Sequence, residues 1–164
     1  MALYGILTAL TTAVTMVLVV PFPPTRGFFN LGDAMVFFTA LTFGWRAGAI
    51  CGGIGSAAAD VLLGFGYFAP ITLVAKGSEG LVAGALGRLG GGRSAAKFLG
   101  VAVGSVCMVS TYFFAEWVLY GVGPAIAEIP VNVAQVLIGG SIGILLSAPV
   151  SNLMRMPRRS MSGK

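Results

Sequence analysis

Ala95-Ala-Lys97-Phe-Leu-Gly100-Val-Ala-Val-Gly104-Ser-Val-Cys107-Met-Val-Ser-Thr-Tyr112-Phe-Phe-Ala-Glu116-Trp-Val-Leu-Tyr120 is an unbroken apolar run with one charge near each end. As a helix rising about 1.5 Å per residue, it is about 39 Å long. That exceeds the roughly 30 Å hydrocarbon core of a bilayer. The rest of the chain has the same character, with 57% hydrophobic residues and 9% charged ones. Soluble domains carry about 25% charged residues. So few charges cannot cover a water-facing surface, and most of this surface must face lipid.

Outward from that run, the chain divides into further apolar segments. Segment six opens at Pro130 and ends near Met154, before a basic tail. Segment four, about 70–89, opens at Pro70, a favoured first-turn proline. Segments three (about 46–64) and two (about 33–45, short for a span) precede it. Pro21-Phe-Pro-Pro-Thr-Arg-Gly27 cannot be regular helix, because its prolines fix φ and remove donors. Segment one, about 2–20, has no basic leader and no clear cleavage site, and reads as a retained helix. The expectation is an all-α membrane protein, a six-transmembrane-helix bundle, filling residues 1–164 as one domain.

Charge orients the bundle. With a cytoplasmic N-terminus, Arg46, Arg88, Arg93, Lys97, Arg155, Arg158, Arg159 and Lys164 fall on the inner side and Arg26 on the outer. The positive-inside bias therefore predicts that both termini are cytoplasmic. It also accounts for the net charge of +5 without nucleic acid. Small residues recur every four positions at Gly44, Gly48 and Gly52, at Gly80 and Gly84, at Gly100 and Gly104, and at Gly139 and Gly143. That spacing lets membrane helices approach closely.

The polar residues carry the functional signal. All five acids, Asp33, Asp60, Glu79, Glu116 and Glu128, map to the outer half, as does Lys76. A charge at the bilayer centre costs about 2.5–3.5 kcal/mol on insertion scales, so such groups face a partner or a cavity. Lys76 and Glu79, Tyr112 and Glu116, and Asn132 and Gln135 are three or four residues apart, so each pair shares a helix face. Three consecutive helices thus present polar pairs at one level, enough to bind a polar ring compound. Tyr67, Phe113, Phe114 and Trp117 are candidate walls. The blander alternative is mutual neutralisation and helix capping.

Several chemistries find no support. With no histidine and no zinc-type cluster, no metal and no cofactor are expected, and Ser105, Ser110 and Thr111 have no base to activate them. Cys51 and Cys107, deep in apolar segments, read as packed thiols. Gly87 to Ser94 imitates a phosphate-binding loop but joins two membrane helices. Asp33 and Asp60 would be the only carboxylate pair for an intramembrane enzyme, and no enzymatic activity is expected. A structural or assembly membrane protein and a stand-alone solute facilitator remain alternatives.

Specific stretches resemble the substrate-binding S components of energy-coupling factor (ECF) vitamin transporters. They are Arg26-Gly-Phe-Phe-Asn30-Leu-Gly-Asp33, Gly52-Gly-Ile-Gly-Ser-Ala-Ala-Ala-Asp60-Val-Leu-Leu-Gly64, Ala69-Pro-Ile-Thr-Leu-Val-Ala-Lys76-Gly-Ser-Glu79-Gly80 and Ile129-Pro-Val-Asn132-Val-Ala-Gln135. The likeness covers about 5–150 and is greatest to the riboflavin or hydroxymethylpyrimidine subgroup. It implies six helices and an outward-facing vitamin site formed by Asn30, Lys76, Glu79, Tyr112, Glu116, Asn132 and Gln135. It implies that Ala9 and Ala13 contact a transmembrane coupling subunit, that two cytoplasmic ATPase subunits supply energy, and that the body topples to release cargo. The expected setting is multi-pass in a prokaryotic cell membrane. Ser78 and the pair Ala58-Ala59 are smaller than the family pattern suggests.

Overall fold

The computed structural model describes residues 2–91 and 93–155. Six helices run in order: α1 (Ala2–Val17), α2 (Gly32–Phe43), α3 (Trp45–Leu62), α4 (Ala69–Gly87), α5 (Ser94–Tyr120) and α6 (Val122–Arg155). Between α1 and α2 the proline-rich stretch folds into an antiparallel hairpin of β1 (Val20–Phe22) and β2 (Gly27–Phe29). The absence of helix there is as expected; the strand pairing was not foreseen. Arg26, with φ of 58°, closes the turn. The basic residues Arg158, Arg159 and Lys164 lie outside the described residues.

α5 and α6 are each long and apolar enough to cross a membrane, while α1 and α2 are shorter apolar helices. α2 is the centre of the molecule. Its twelve residues, ten of them buried, give about 18 Å of helix, too short to span. It has no need to span, because α1, α3, α4 and α6 surround it. Phe37 and Ala40 of α2 meet Ala83 of α4, Met108 of α5 and Val136 of α6 in the apolar core.

The glycine spacing acts through close helix contacts. A methyl group on Gly48 of α3 would lie 2.6 Å from the Gly80 carbonyl oxygen of α4 and 2.6 Å from the Ala40 Cβ of α2. On Gly100 of α5 it would lie 2.6 Å from the Ala83 carbonyl oxygen. On Gly139 of α6 it would lie 2.9 Å from the Ala34 amide. These backbones touch only because the side chains are absent.

One boundary differs from expectation. α6 begins at Val122, eight residues before Pro130, so the segment expected as an outer loop is helical and carries Glu128 on its first turns. Gly121, with φ of 90°, makes the elbow, and its amide bonds the Trp117 carbonyl at 3.0 Å to cap α5. Pro124, instead of Pro130, occupies the first turn, where a missing amide costs nothing. Pro130 lies inside the helix, as membrane helices tolerate when neighbours support them. At the other end of the chain, α1 stops at Val17 because Val20 joins the hairpin.

The bundle has two distinct ends. Arg46, Arg88 and Arg93 cluster where α3 begins, α4 ends and α5 begins, and the Arg88 guanidinium donates to the Phe43 carbonyl at 3.4 Å. The start of α1 is at this end, since the Cys51 thiol reaches the Tyr4 carbonyl at 3.5 Å. So is the end of α6, where Lys97 donates to Ser147 at 3.1 Å. The hairpin and Arg26 are at the opposite end, where the Tyr67 hydroxyl donates to the Arg26 carbonyl at 2.9 Å.

Candidate functional site

Under the hairpin, at the end away from the arginine cluster, is a polar cavity. Its lining residues surround about 400 Å³ of space, part of it open to solvent. Every helix contributes to it or to its floor. Ser56 and Asp60, four apart on α3, share a wall, as do Thr72 and Lys76 on α4 and Tyr112 and Glu116 on α5. Glu128, Asn132 and Gln135 follow one another down α6, Thr15 closes the α1 side, and Gly27, Phe28 and Asn30 of the hairpin form the roof.

The floor is a buried charge cluster. Lys76, 1% exposed, is bonded to Asp33 of α2, which is wholly buried, and lies 3.8 Å from Glu79. The Gln135 amide donates to the second Asp33 oxygen at 3.0 Å and accepts from the Asn30 backbone amide at 2.8 Å. The Asn30 side chain in turn accepts from Gly32 at 2.8 Å, at the start of α2. This chain of bonds ties hairpin, α2, α4 and α6 together. Above it the Tyr112 hydroxyl donates to Thr72 at 2.9 Å, and the Lys76 ammonium lies 5.8 Å from the Tyr112 ring centre.

The upper walls are different. Both oxygens of Glu116, one oxygen of Asp60 and the Ser56 hydroxyl are buried without a hydrogen-bond partner. Glu128 accepts from Thr25 of the hairpin turn, so it connects the roof to α6. A methyl group on Gly27 would lie 2.7 Å from the Glu128 carboxylate, so a larger residue there would push that carboxylate aside. A buried acceptor without a partner costs about 1–3 kcal/mol.

Of the residues expected to form a site, Asn30, Lys76, Tyr112, Glu116, Asn132 and Gln135 are all brought to this one cavity. Glu79 is not among its lining residues. It is three positions beyond Lys76, about 4.5 Å further down the helix axis, behind the Lys76–Asp33 pair and fully buried. The expected aromatic walls are displaced too. Phe114, Trp117 and Tyr67 are about half exposed, and Phe113 packs with Phe114 and Trp117 in an outer cluster. Phe28 and Phe68 take their place. Asp33, Asp60 and Glu128 were recognisable as outer-half acids but were not assigned to the site. The signal for Asp60 and Glu128 was in the spacing from Ser56 to Asp60 and from Glu128 to Asn132; Asp33 had no such signal.

Ala9 and Ala13 are exposed on α1, on the side away from its buried residues Leu7, Thr11 and Thr15. The stretch that imitates a phosphate loop is preceded directly by α4 instead of a strand, and leads into α5.

Residues 1–152 match the family model described as ECF-type riboflavin transporter, S component. The chain is 32% identical over 148 residues to the thiamine precursor transporter HmpT of Lactococcus lactis, covering 90% of this chain and 84% of that one. It is 37% identical over 149 residues to an uncharacterized protein of Pyrococcus woesei, covering 87% of this chain and 98% of that one. Among solved structures, the S component of a bacterial ECF transporter shares the fold, with a TM-score of 0.74 and 19% identity. That superposition covers 93% of this chain and 95% of that one.

Proposed function

From the premise that this chain belongs to the ECF-type riboflavin transporter S-component family, we propose that the cavity under the hairpin is where it captures its vitamin or vitamin precursor. The protein is the substrate-binding subunit of an importer, and its family points to transport, not catalysis. The supporting observation is the set of buried polar atoms on Ser56, Asp60 and Glu116 that face one cavity unsatisfied. In the floor, by contrast, Lys76, Asp33 and Gln135 are bonded to one another. The floor thus serves as scaffold, and Glu116, Asn132 and Asp60 read the ligand.

The arginine-rich end is cytoplasmic in this reading, and the hairpin end opens outward in a prokaryotic cell membrane. Ala9 and Ala13 face a transmembrane coupling subunit, whose cytoplasmic ATPase partners supply the energy. Small exposed side chains on one helix face suit such close packing.

Mass spectrometry of small molecules extracted from the purified protein, followed by calorimetry with the identified compound and a panel of B-vitamins and precursors, tests the reading. The expected result is one tight binder whose affinity falls in Glu116→Ala. A panel that produced neither heat nor thermal stabilisation would refute it.

A further inference from the structure

α3 and α4 touch through their glycines and part toward the hairpin end. A methyl group on Gly53 of α3 would lie 2.9 Å from the Leu73 carbonyl oxygen of α4, and the Gly48–Gly80 approach lies below that point. Above it, Ala57, Ala58 and Val61 of α3 and Ala69 and Pro70 of α4 line a groove that reaches Gly66 in the connecting turn. The groove is separate from the polar cavity, which takes Ser56, Asp60 and Thr72 from the same two helices. Its lining residues surround about 820 Å³ of space, part of it open to the surroundings, and every one of them is apolar. Water finds no partner in such a space, which favours an apolar occupant. The small pair Ala58-Ala59 divides between two tasks: Ala59 is fully buried in the bundle, and Ala58 leaves the groove open.

We propose that this groove seats one acyl chain of a phospholipid in the leaflet on the hairpin side, and that Arg26 holds its anionic headgroup. Depth favours a lipid. From Ile54, the lowest lining residue of α3, to Leu62 at the helix end is about 12 Å, within the roughly 15 Å that one leaflet gives to the hydrocarbon core. A spanning helix of a protein partner would need a seat running through both leaflets, and the glycine contacts between α3 and α4 close this one at Gly53. Charge points the same way. Tyr67 follows Gly66 at the groove's upper end, and its hydroxyl donates to the Arg26 carbonyl at 2.9 Å, so the hairpin turn stands beside the mouth. Arg26 is exposed, and its guanidinium has no ion-pair partner among the described residues. A guanidinium suits a phosphate, to which it can donate two parallel hydrogen bonds. Tyr67, half exposed beside it, is an aromatic residue of the kind found at headgroup level.

Native mass spectrometry of the purified full-length protein in detergent tests this, with phosphatidylglycerol and phosphatidylcholine of identical chains as probes. The wild type should hold one lipid and bind phosphatidylglycerol about fivefold more tightly, as one basic residue at a membrane surface provides. Arg26→Gln should erase that preference and still bind both lipids. Ala58→Phe fills the groove and should weaken both about tenfold or more, while size-exclusion chromatography shows a monodisperse protein. If that variant does not fold, Ala57→Phe on the same wall replaces it, and if neither folds the effect of Arg26→Gln decides. Wild-type lipid binding in the groove-filled variant would overturn the seat. Equal binding of the two lipids by the wild type, or a preference unchanged in Arg26→Gln, would overturn the headgroup assignment. A lipid-free dimer that Ala58→Phe splits would give the groove to a second copy of the chain and remove the proposal.

Discussion

Replacing Lys76 with methionine should destabilise the protein more than replacing its nearest partner. The Lys76 ammonium stands between two carboxyl groups, bonded to Asp33 and 3.8 Å from Glu79, and none of the three side chains is more than 1% exposed. Lys76→Met therefore strands two buried acids at once. Breaking a buried pair in this way costs about 3–5 kcal/mol. Asp33→Asn is milder, because Lys76 keeps Glu79 and the amide can still bond Gln135. Its cost is about 1–3 kcal/mol, the penalty for a degraded buried hydrogen bond. For a chain of this size about 2–4 °C of melting temperature accompanies each kcal/mol, which places Lys76→Met about 6–20 °C below wild type. Thermal unfolding of the ligand-free protein in detergent, followed by tryptophan fluorescence, gives the ranking. The double variant should cost less than the two single costs added together, by about 0.5–3 kcal/mol of coupling. If Lys76→Met melted within about 2 °C of wild type, or above Asp33→Asn, the ammonium would not be what neutralises the floor.

Three further outcomes are expected. Gly80→Val should prevent folding or cost at least about 1–3 kcal/mol, because its side chain would enter the backbone of α3 at Gly48; the yield of monodisperse protein measures it. Asn132→Ala should weaken ligand binding by about 1–3 kcal/mol with little change in melting temperature, since Asn132 lines the cavity without joining the floor network; calorimetry and a melting curve separate the two effects. Ala9→Trp or Ala13→Trp should abolish uptake into cells yet leave binding to the purified subunit intact, as these residues are exposed on the face of α1 opposite the cavity-lining Thr15; loss of binding in either variant would remove the coupling role.

Much of the architecture was legible in the sequence because lipid imposes simple constraints. α5 announces itself by length and hydropathy, and the four-residue glycine spacing marked helix faces suited to close approach. The site was half legible. Lys76, Tyr112, Glu116, Asn132 and Gln135 lie on helices, where spacing of three or four residues predicts a shared face. What stayed hidden depends on contacts between distant segments. Asp33 reaches Lys76 across 43 residues, and no periodicity relates them. Glu79 shares a face with Lys76 but lies one step deeper, and depth decided which of the two meets the cavity. The aromatic residues of α5 were misplaced because aromatic side chains suit a lipid-facing surface as well as a binding wall. The start of α6 was missed because Pro130 looks like an opening residue until Gly121 and Pro124 are seen to supply the elbow and the first turn.

The distance along the chain between Asp33 and its counter-ion also has a consequence for biogenesis. At about 5–20 residues per second, a ribosome needs about 2–9 s to make the 43 residues separating the two groups. Until then α2 carries a lone acid whose exposure to hydrocarbon would cost about 2.5–3.5 kcal/mol. It is also too short to anchor itself. Entry of α2 together with α4 would avoid that cost, as would an Asp33 that keeps its proton until Lys76 arrives.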